Sequence, residues 1–391
     1  MKYFSAQYIF TNAGPPYRRG VICADDDGTI LSIENTDGKL SEKESVAFYN
    51  GVIVPGFVNC HCHLELSYLK NEIPRGTGLS NFLMAINTLR SKLHEDIEKA
   101  IKNADNEMVR EGVVLCADIC NSSLTFTLKK ESTIKYINLL EVFGIDSSKA
   151  HKRMDEILKV SEIAESENLS WWIVPHAVYS ISLPLLRLIK NHSVSNRITS
   201  VHYMESEDEK LFLADHTGPL MESYKKFLPP FSDLDTAQDH VSAVLEEVTG
   251  NGNLLLVHNT RIEKKQIEEL RKRGNLYYCL CPNSNLFIDR NVPPAGLLSD
   301  ECCDIVIGTD SLSSNSALSI LEELKTLQVY FPQISLERLI SWATINGARA
   351  LCEDSWAGTI EPGKKPGLVL IKNLDLVNLK LLPSSMAERI L

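Results

Sequence analysis

The chain lacks any apolar run of about 18 residues, and its start, MKYFSAQYIFTNAGPPYRRG, lacks the unbroken apolar core of a signal peptide. Both absences lead to the expectation of a cytoplasmic protein with no membrane partner. A basic stripe is also missing. Lys and Arg number 40 against 51 Asp and Glu, and the formal charge of −11 opposes a phosphate backbone, so nucleic acid is not an expected partner. No low-complexity tract occurs, and 44% hydrophobic with 23% charged residues is ordinary globular usage with enough apolar content for a sizeable core. Ten cysteines are present, but the paired CxxC halves of a structural zinc site are not. The close pairs Cys60/Cys62, Cys116/Cys120 and Cys279/Cys281 read instead as small buried hydrophobes in a reducing compartment. No Gly-rich phosphate loop follows an early strand, which counts against an open doubly wound sheet.

What the chain does contain is a regular alternation. Its first fifty residues alternate apolar and polar positions around turns, with Asp27-Gly28 a hairpin signal in RRGVICADDDGTILSIEN. After a helical stretch ending near Leu351, GTIEPGKKPGLVLIKN gives a turn and a strand-like run at Leu368 to Ile371. Between the ends stand eight β-rich runs, at 57–63, 113–118, 136–142, 171–176, 198–202, 254–258, 276–281 and 304–309. Amphipathic windows such as EDIEKAIKNADNEMVREG and TRIEKKQIEELRKRG separate them, each ending at a Gly suited to a helix C-terminus. Eight strand-helix units predict an α/β protein with a (β/α)8 barrel of the TIM type over 55–354. A small β-sandwich domain is expected from both ends together, 1–54 and 355–391.

Barrel enzymes carry their chemistry where strands end, and here those ends are rich in His and acid. In PGFVNCHCHLE a period of two puts His61 and His63 on one face and turns Cys60 and Cys62 the opposite way. The fifth strand ends at His202, the sixth at His258 and the eighth at Asp310. Imidazole with carboxylate suits Zn²⁺ or Fe²⁺.

This arrangement resembles the amidohydrolase superfamily over essentially the whole chain, through PGFVNCHCH at 55–63, HYME at 202–205, VH at 257–258, CPNSN at 281–285, GTDSLSSN at 308–315, ATINGARAL and the later EPGK. Within it, the motifs look like the branch of guanine, cytosine and adenosine-type deaminases and triazine hydrolases; HLELS and PHAVYS look most like aminodeoxyfutalosine deaminase-like proteins. PHAVYS stands where those proteins usually read PHAPYS. The resemblance implies His61, His63, His202 and Asp310 as ligands of one divalent metal per chain, zinc first and iron second. It gives Glu205 as the proton-shuttling acid, His258 as a residue that orients water or substrate, and His176 as a substrate contact. Two-metal members commonly carry a modified lysine at the end of the fourth strand, where this chain has Pro175-His176, so one metal is expected. The remaining histidines, His94, His151, His192, His216 and His240, fall in helical or loop windows with structural or exposed roles expected.

The function implied is hydrolytic deamination of an aminated heterocycle such as a purine, an adenosine derivative or a pteridine-like ring. The metal's Lewis acidity brings the pKa of water from near 16 to roughly 7; Asp310 and His258 would accept and steer its proton while Glu205 protonates the ring and the leaving amine. An amidase or a dechlorinating hydrolase could use the same ligands. A non-catalytic barrel would instead lack a ligand or the acid, and neither is missing. Glu72 and Arg75, in the loop after the first strand, are candidates to meet a polar arm of the small-molecule substrate. A homodimer is expected from the resemblance alone.

Overall fold

The computed structural model describes residues 1–39, 45–92, 96–227, 235–236, 239–248 and 252–391. The chain opens with β1 (Lys2–Ile9), β2 (Tyr17–Arg18), β3 (Val21–Ala24), β4 (Ile30–Glu34) and β5 (Val46–Pro55). Eight further strands follow at the predicted places: β6 (Phe57–Cys62), β7 (Val113–Cys120), β8 (Lys135–Val142), β9 (Trp171–Pro175), β10 (Ile198–Tyr203), β11 (Asn253–His258), β12 (Leu276–Leu280) and β13 (Asp304–Ile307). It closes with β14 (Leu368–Lys372) and β15 (Met386–Arg389).

The eight central strands form two four-stranded parallel sheets, β6-β7-β8-β9 and β10-β11-β12-β13. Isolated parallel bridges link the two sheets at both meeting edges, Cys62 with Asp310 and Ala177 with His202. Val58, Leu115, Ile137, Val174, Ile198, Leu255, Cys279 and Val306, one from each strand, belong to a single buried apolar cluster. Side chains that large stabilise by about 1.5–3 kcal/mol each when fully buried. Helices run between the strands as read. The helix Ile97–Glu111 stops at Gly112, whose φ of 97° lets its N–H reach the Met108 and Val109 carbonyls. The window before Gly274 is shorter than its pattern, a helix at Lys264–Leu270 tightening into a 3₁₀ turn at Arg271–Arg273.

Both chain ends meet, in a form that differs from the expected sandwich. β5 is parallel to β1 along one edge and antiparallel to β14 along the other, so the ends share one seven-stranded sheet in the order β15-β14-β5-β1-β3-β4, with β2 on β1. A second facing sheet, which a sandwich requires, is absent among the described residues. The hairpin at Asp27-Gly28 forms as read, with Gly28 at φ 88°. Phe4, Ala6, Ile9, Ile22, Ile30, Ile53 and Leu370 make this sheet's core.

Strict alternation also fails in β6. Its pairing with β7 shifts register between Asn59 and Cys62. Cys60 joins Val58 in the cluster fed by all eight strands, as alternation predicts, whereas Cys62, past the shift, packs in the larger core cluster with Cys116 and Cys120. Among the described residues no helix is long and apolar enough to cross a membrane.

Candidate active site

The carboxyl ends of the central strands surround a cavity of about 370 Å³. Its lining includes His63, His176, His202, Glu205, His258 and Asp310, with a wall of Leu79, Phe82, Leu83, Ile86 and Leu220. Strand-end backbone turns the side chains inward. Met204, His258, Asn259 and Asp310 all have positive φ, 52°, 79°, 58° and 58°, a conformation that costs a non-glycine residue about 1–3 kcal/mol and concentrates at functional sites. Surrounding hydrogen bonds hold it: the Asn259 and Arg261 N–H groups donate to the carbonyls of Tyr203 and Met204, and those of Thr309 and Asp310 both donate to the His61 carbonyl. Gly308 allows this approach, because a Cβ there would stand 2.7 Å from the His61 Cβ.

At the floor, one ligand nitrogen from each of His61, His63 and His202 lies within 4.8 Å of the others. The His61 and His63 Nε2 atoms face each other at 3.1 Å. His61 Nδ1 is buried with no hydrogen-bond partner. Asp310 Oδ1 stands 3.5 Å from His63 Nε2 and 3.9 Å from His61 Nε2. Its other oxygen accepts hydrogen bonds from Ser284 Oγ at 2.5 Å and Ser314 Oγ at 2.8 Å. His202 is oriented by its Nδ1, which lies 2.7 Å from the His176 carbonyl.

Burial is the main cause of the electrostatics. Desolvation pulls the His61 imidazole well below its ordinary value, and neighbouring histidines add to the effect. It brings His63 and His258 down to about 3 and His176 to about 4, although Asp310 opposes the shift in each. These imidazoles are therefore neutral at physiological pH and keep lone pairs for a cation. Asp310 ends below its usual value: burial raises it, and His63, His258 and the Ser284 hydrogen bond together outweigh burial. Neutral imidazoles and an ionised carboxylate converging at this spacing fit a divalent metal.

Glu205 behaves in the opposite way. Burial, then the charges of Asp310, Glu209 and Asp289, push its carboxyl well above the carboxylate range. Its Oε1 is 3.6 Å from His258 Nε2, and Tyr179 Oη donates to Oε2 at 3.4 Å. The Glu209 carboxylate accepts from the backbone N–H groups of Met204 and Glu205, fixing the turn that carries the acid. His258 Nδ1 lies 3.1 Å from Asn285 Nδ2.

Glu72 and Arg75 are not brought to this cavity. Both are exposed, and the Arg75 guanidinium sits 5.2 Å from the centre of the Phe287 ring. Of the remaining histidines, His151 and His192 are exposed, His216 bonds Thr236, His240 opens a helix, and His94 lies outside the described residues. Sequence reasoning missed Glu141, at the end of β8, and Arg90, at the end of the helix Leu79–Arg90; both line the cavity. Arg90 pairs with Glu65 at 2.6 Å and donates to Asn121 Oδ1 at 3.0 Å. The position of Glu141 at a strand end was the available signal, without a motif to mark it.

Comparison with known proteins agrees with this geometry. The amidohydrolase family model matches residues 52–386. An adenosine deaminase of Helicobacter pylori is 27% identical over 82% of this chain and 79% of its own length. Among solved structures, the Helicobacter pylori aminofutalosine deaminase in complex with methylthio-coformycin superposes with a TM-score of 0.79 at 22% identity, covering 96% of this chain and 93% of that one. The zinc-bound atrazine chlorohydrolase of Arthrobacter aurescens TC1 superposes at 0.70 with 15% identity, over 94% and 86%. Strand order, site placement and a match across most of the chain agree, and the protein belongs to the amidohydrolase family.

Proposed function

We propose that this chain is a metal-dependent hydrolytic deaminase of an aminated heterocycle, one that releases ammonia from a purine-like ring. The observation carrying this reading is Glu205, a buried acid with a raised pKa beside three converging neutral histidines. A carboxyl whose affinity for its proton is raised by burial suits donation to a ring nitrogen.

His61, His63, His202 and Asp310 would hold the metal; its Lewis acidity supplies a water that can act as nucleophile at neutral pH. Glu205 gives its proton to the ring nitrogen next to the carbon under attack, and then carries a proton to the departing amine. His258 Nε2, within 3.6 Å of Glu205 Oε1, steers the proton between attacking water and acid. Asp310 Oδ1 is the second acceptor on that floor. His176 faces the bound ring, its Nδ1 fixed 2.7 Å from Ser180 Oγ. The apolar wall excludes bulk water and so strengthens these interactions.

Names of relatives point the same way: adenosine, 5′-deoxyadenosine and methylthioadenosine deaminases are all similar to this chain. The finer reading is a closed (β/α)8 barrel over 55–354 flanked by a β unit from 1–54 and 355–391, supported by the two bridging edges and the cluster to which every central strand contributes. One zinc per chain, a cytoplasmic location and a homodimer complete it.

The test is a product assay on zinc-loaded protein with adenosine, 5′-deoxyadenosine, 5′-methylthioadenosine, guanine and a chlorotriazine. Ammonia from an adenosine-type substrate is expected. Chloride release without ammonia would transfer the site to the dechlorinating class.

A further inference from the structure

A second cavity, also about 370 Å³, lies against the first. The two share Asn87, Arg90, Asn121, Glu141, Phe143 and Arg153 in their linings. The mechanism above uses none of these residues. At their junction Glu141 is 4% exposed, and its Oε2 accepts from Asn121 Nδ2 at 3.0 Å. Its Oε1 is buried with no hydrogen-bond partner, standing 3.7 Å from His202 Nδ1. That nitrogen is already engaged by the His176 carbonyl at 2.7 Å. A buried carboxyl oxygen left unpaired is costly, and because Glu141 lines both cavities a ligand donor that reached Oε1 would relieve that cost.

We infer that the second cavity seats a neutral, hydroxyl-bearing arm of the substrate, and that Glu141 Oε1 accepts a hydrogen bond from a hydroxyl on that arm. The inference rests on the deaminase reading for the ring that the arm carries. Charge decides the arm's character. Each cation along this path already has an acidic partner: Arg90 with Glu65 at 2.6 Å, Arg153 with Glu156 at 2.9 Å, and Lys149 with Asp146 at 2.8 Å. Among the described lining residues no positive charge is left without an acidic partner for a phosphate or a carboxylate, whereas an unsatisfied acceptor awaits a donor. Arg153 also lies 5.8 Å from the Phe143 ring centre, and both residues line the two cavities. The enzyme therefore prefers a nucleoside-like ligand to the free base.

Glu141, His176 and His202 also offer three ligand atoms within 4.8 Å of one another, so a second cation is the rival occupant. A cation there would compete for His202 Nδ1 with the bond to the His176 carbonyl.

The deaminated products test the arm without turnover. Zinc-loaded wild type, Glu141→Gln and Glu141→Ala are titrated calorimetrically with inosine and with 2′,3′-dideoxyinosine, and metal content is measured in each. Wild type should bind inosine about 5–100-fold more tightly, the range expected when a buried polar group loses its hydrogen-bond partner. In Glu141→Ala that ratio should fall towards one, with Glu141→Gln between, and metal content should stay at one per chain. Equal affinities in wild type, no binding of either ligand, or equal weakening of both in Glu141→Ala would overturn the inference. So would two metals in wild type and one in Glu141→Ala. Ammonia release from adenosine is scored separately, so a silent enzyme that still discriminates the two inosines would remove the deaminase reading and leave the arm subsite standing.

Discussion

Ser284 Oγ donates to Asp310 Oδ2 at 2.5 Å, and this bond, with that of Ser314, leaves Oδ1 free to face His63. Partners that orient a metal ligand typically matter 10–100-fold in metal affinity. Ser284→Ala and Ser314→Ala are each expected to weaken zinc within that range while leaving the fold intact. Competition against a chelator, with circular dichroism as the fold control, measures it. An unchanged zinc affinity in both variants would mean that Asp310 is not a ligand.

Lys129 is fully buried and pairs with Asp118 at 2.5 Å, and Asp118 Oδ1 accepts the Leu64 N–H at 2.7 Å, directly after His63. Lys129 Nζ also reaches Asn138 Oδ1 at 2.7 Å. Removing one partner of a buried pair leaves the other charge uncompensated, at a cost of roughly 3–5 kcal/mol. Lys129→Met should therefore lose about that much stability in urea. A loss below about 1 kcal/mol would show that Asp118 finds another partner or a proton.

Glu323, buried beneath Asn283 and Asn315, has its carboxyl pushed up to about 8, by desolvation above all. An unfolded glutamate titrates near pH 4.3. Between those values the folded protein holds a proton that the unfolded chain has released, so the group's contribution to stability is full below about pH 4 and is lost as pH rises through about 8. Glu323→Gln removes this dependence. The Tm of the variant relative to wild type should rise from pH 5 to pH 8 and then level off. A constant difference across that window would mean that Glu323 is ionised in the folded state.

The central strands were legible because each is a short β-rich run between amphipathic windows, and β6 to β13 begin and end within about two residues of the expected bounds. The histidine cluster was legible because His61, His63, His202 and His258 each stand within one residue of a strand end. The sandwich was not, since pattern alone cannot say that β5 pairs on both edges and draws the two chain ends into one sheet. Alternation also gave Cys60 and Cys62 a common face, and a register shift that no residue type announces removed it. Arg90 looked like any charge on an amphipathic helix. Its role in the wall depends on Glu65 and Asn121, 25 and 31 residues away. Glu72 and Arg75 had the same charged appearance and proved exposed, because sequence does not tell a solvated loop charge from an inward one.

The most direct test compares ammonia release by wild type and Glu205→Gln at matched zinc occupancy, with adenosine as substrate. Glutamine keeps the shape of the acid but has no proton to shuttle, so kcat should fall about 10²–10⁴-fold with zinc content unchanged. A Glu205→Gln enzyme that keeps wild-type kcat would contradict the account, because the buried acid beside the proposed metal ligands would then have no part in the chemistry.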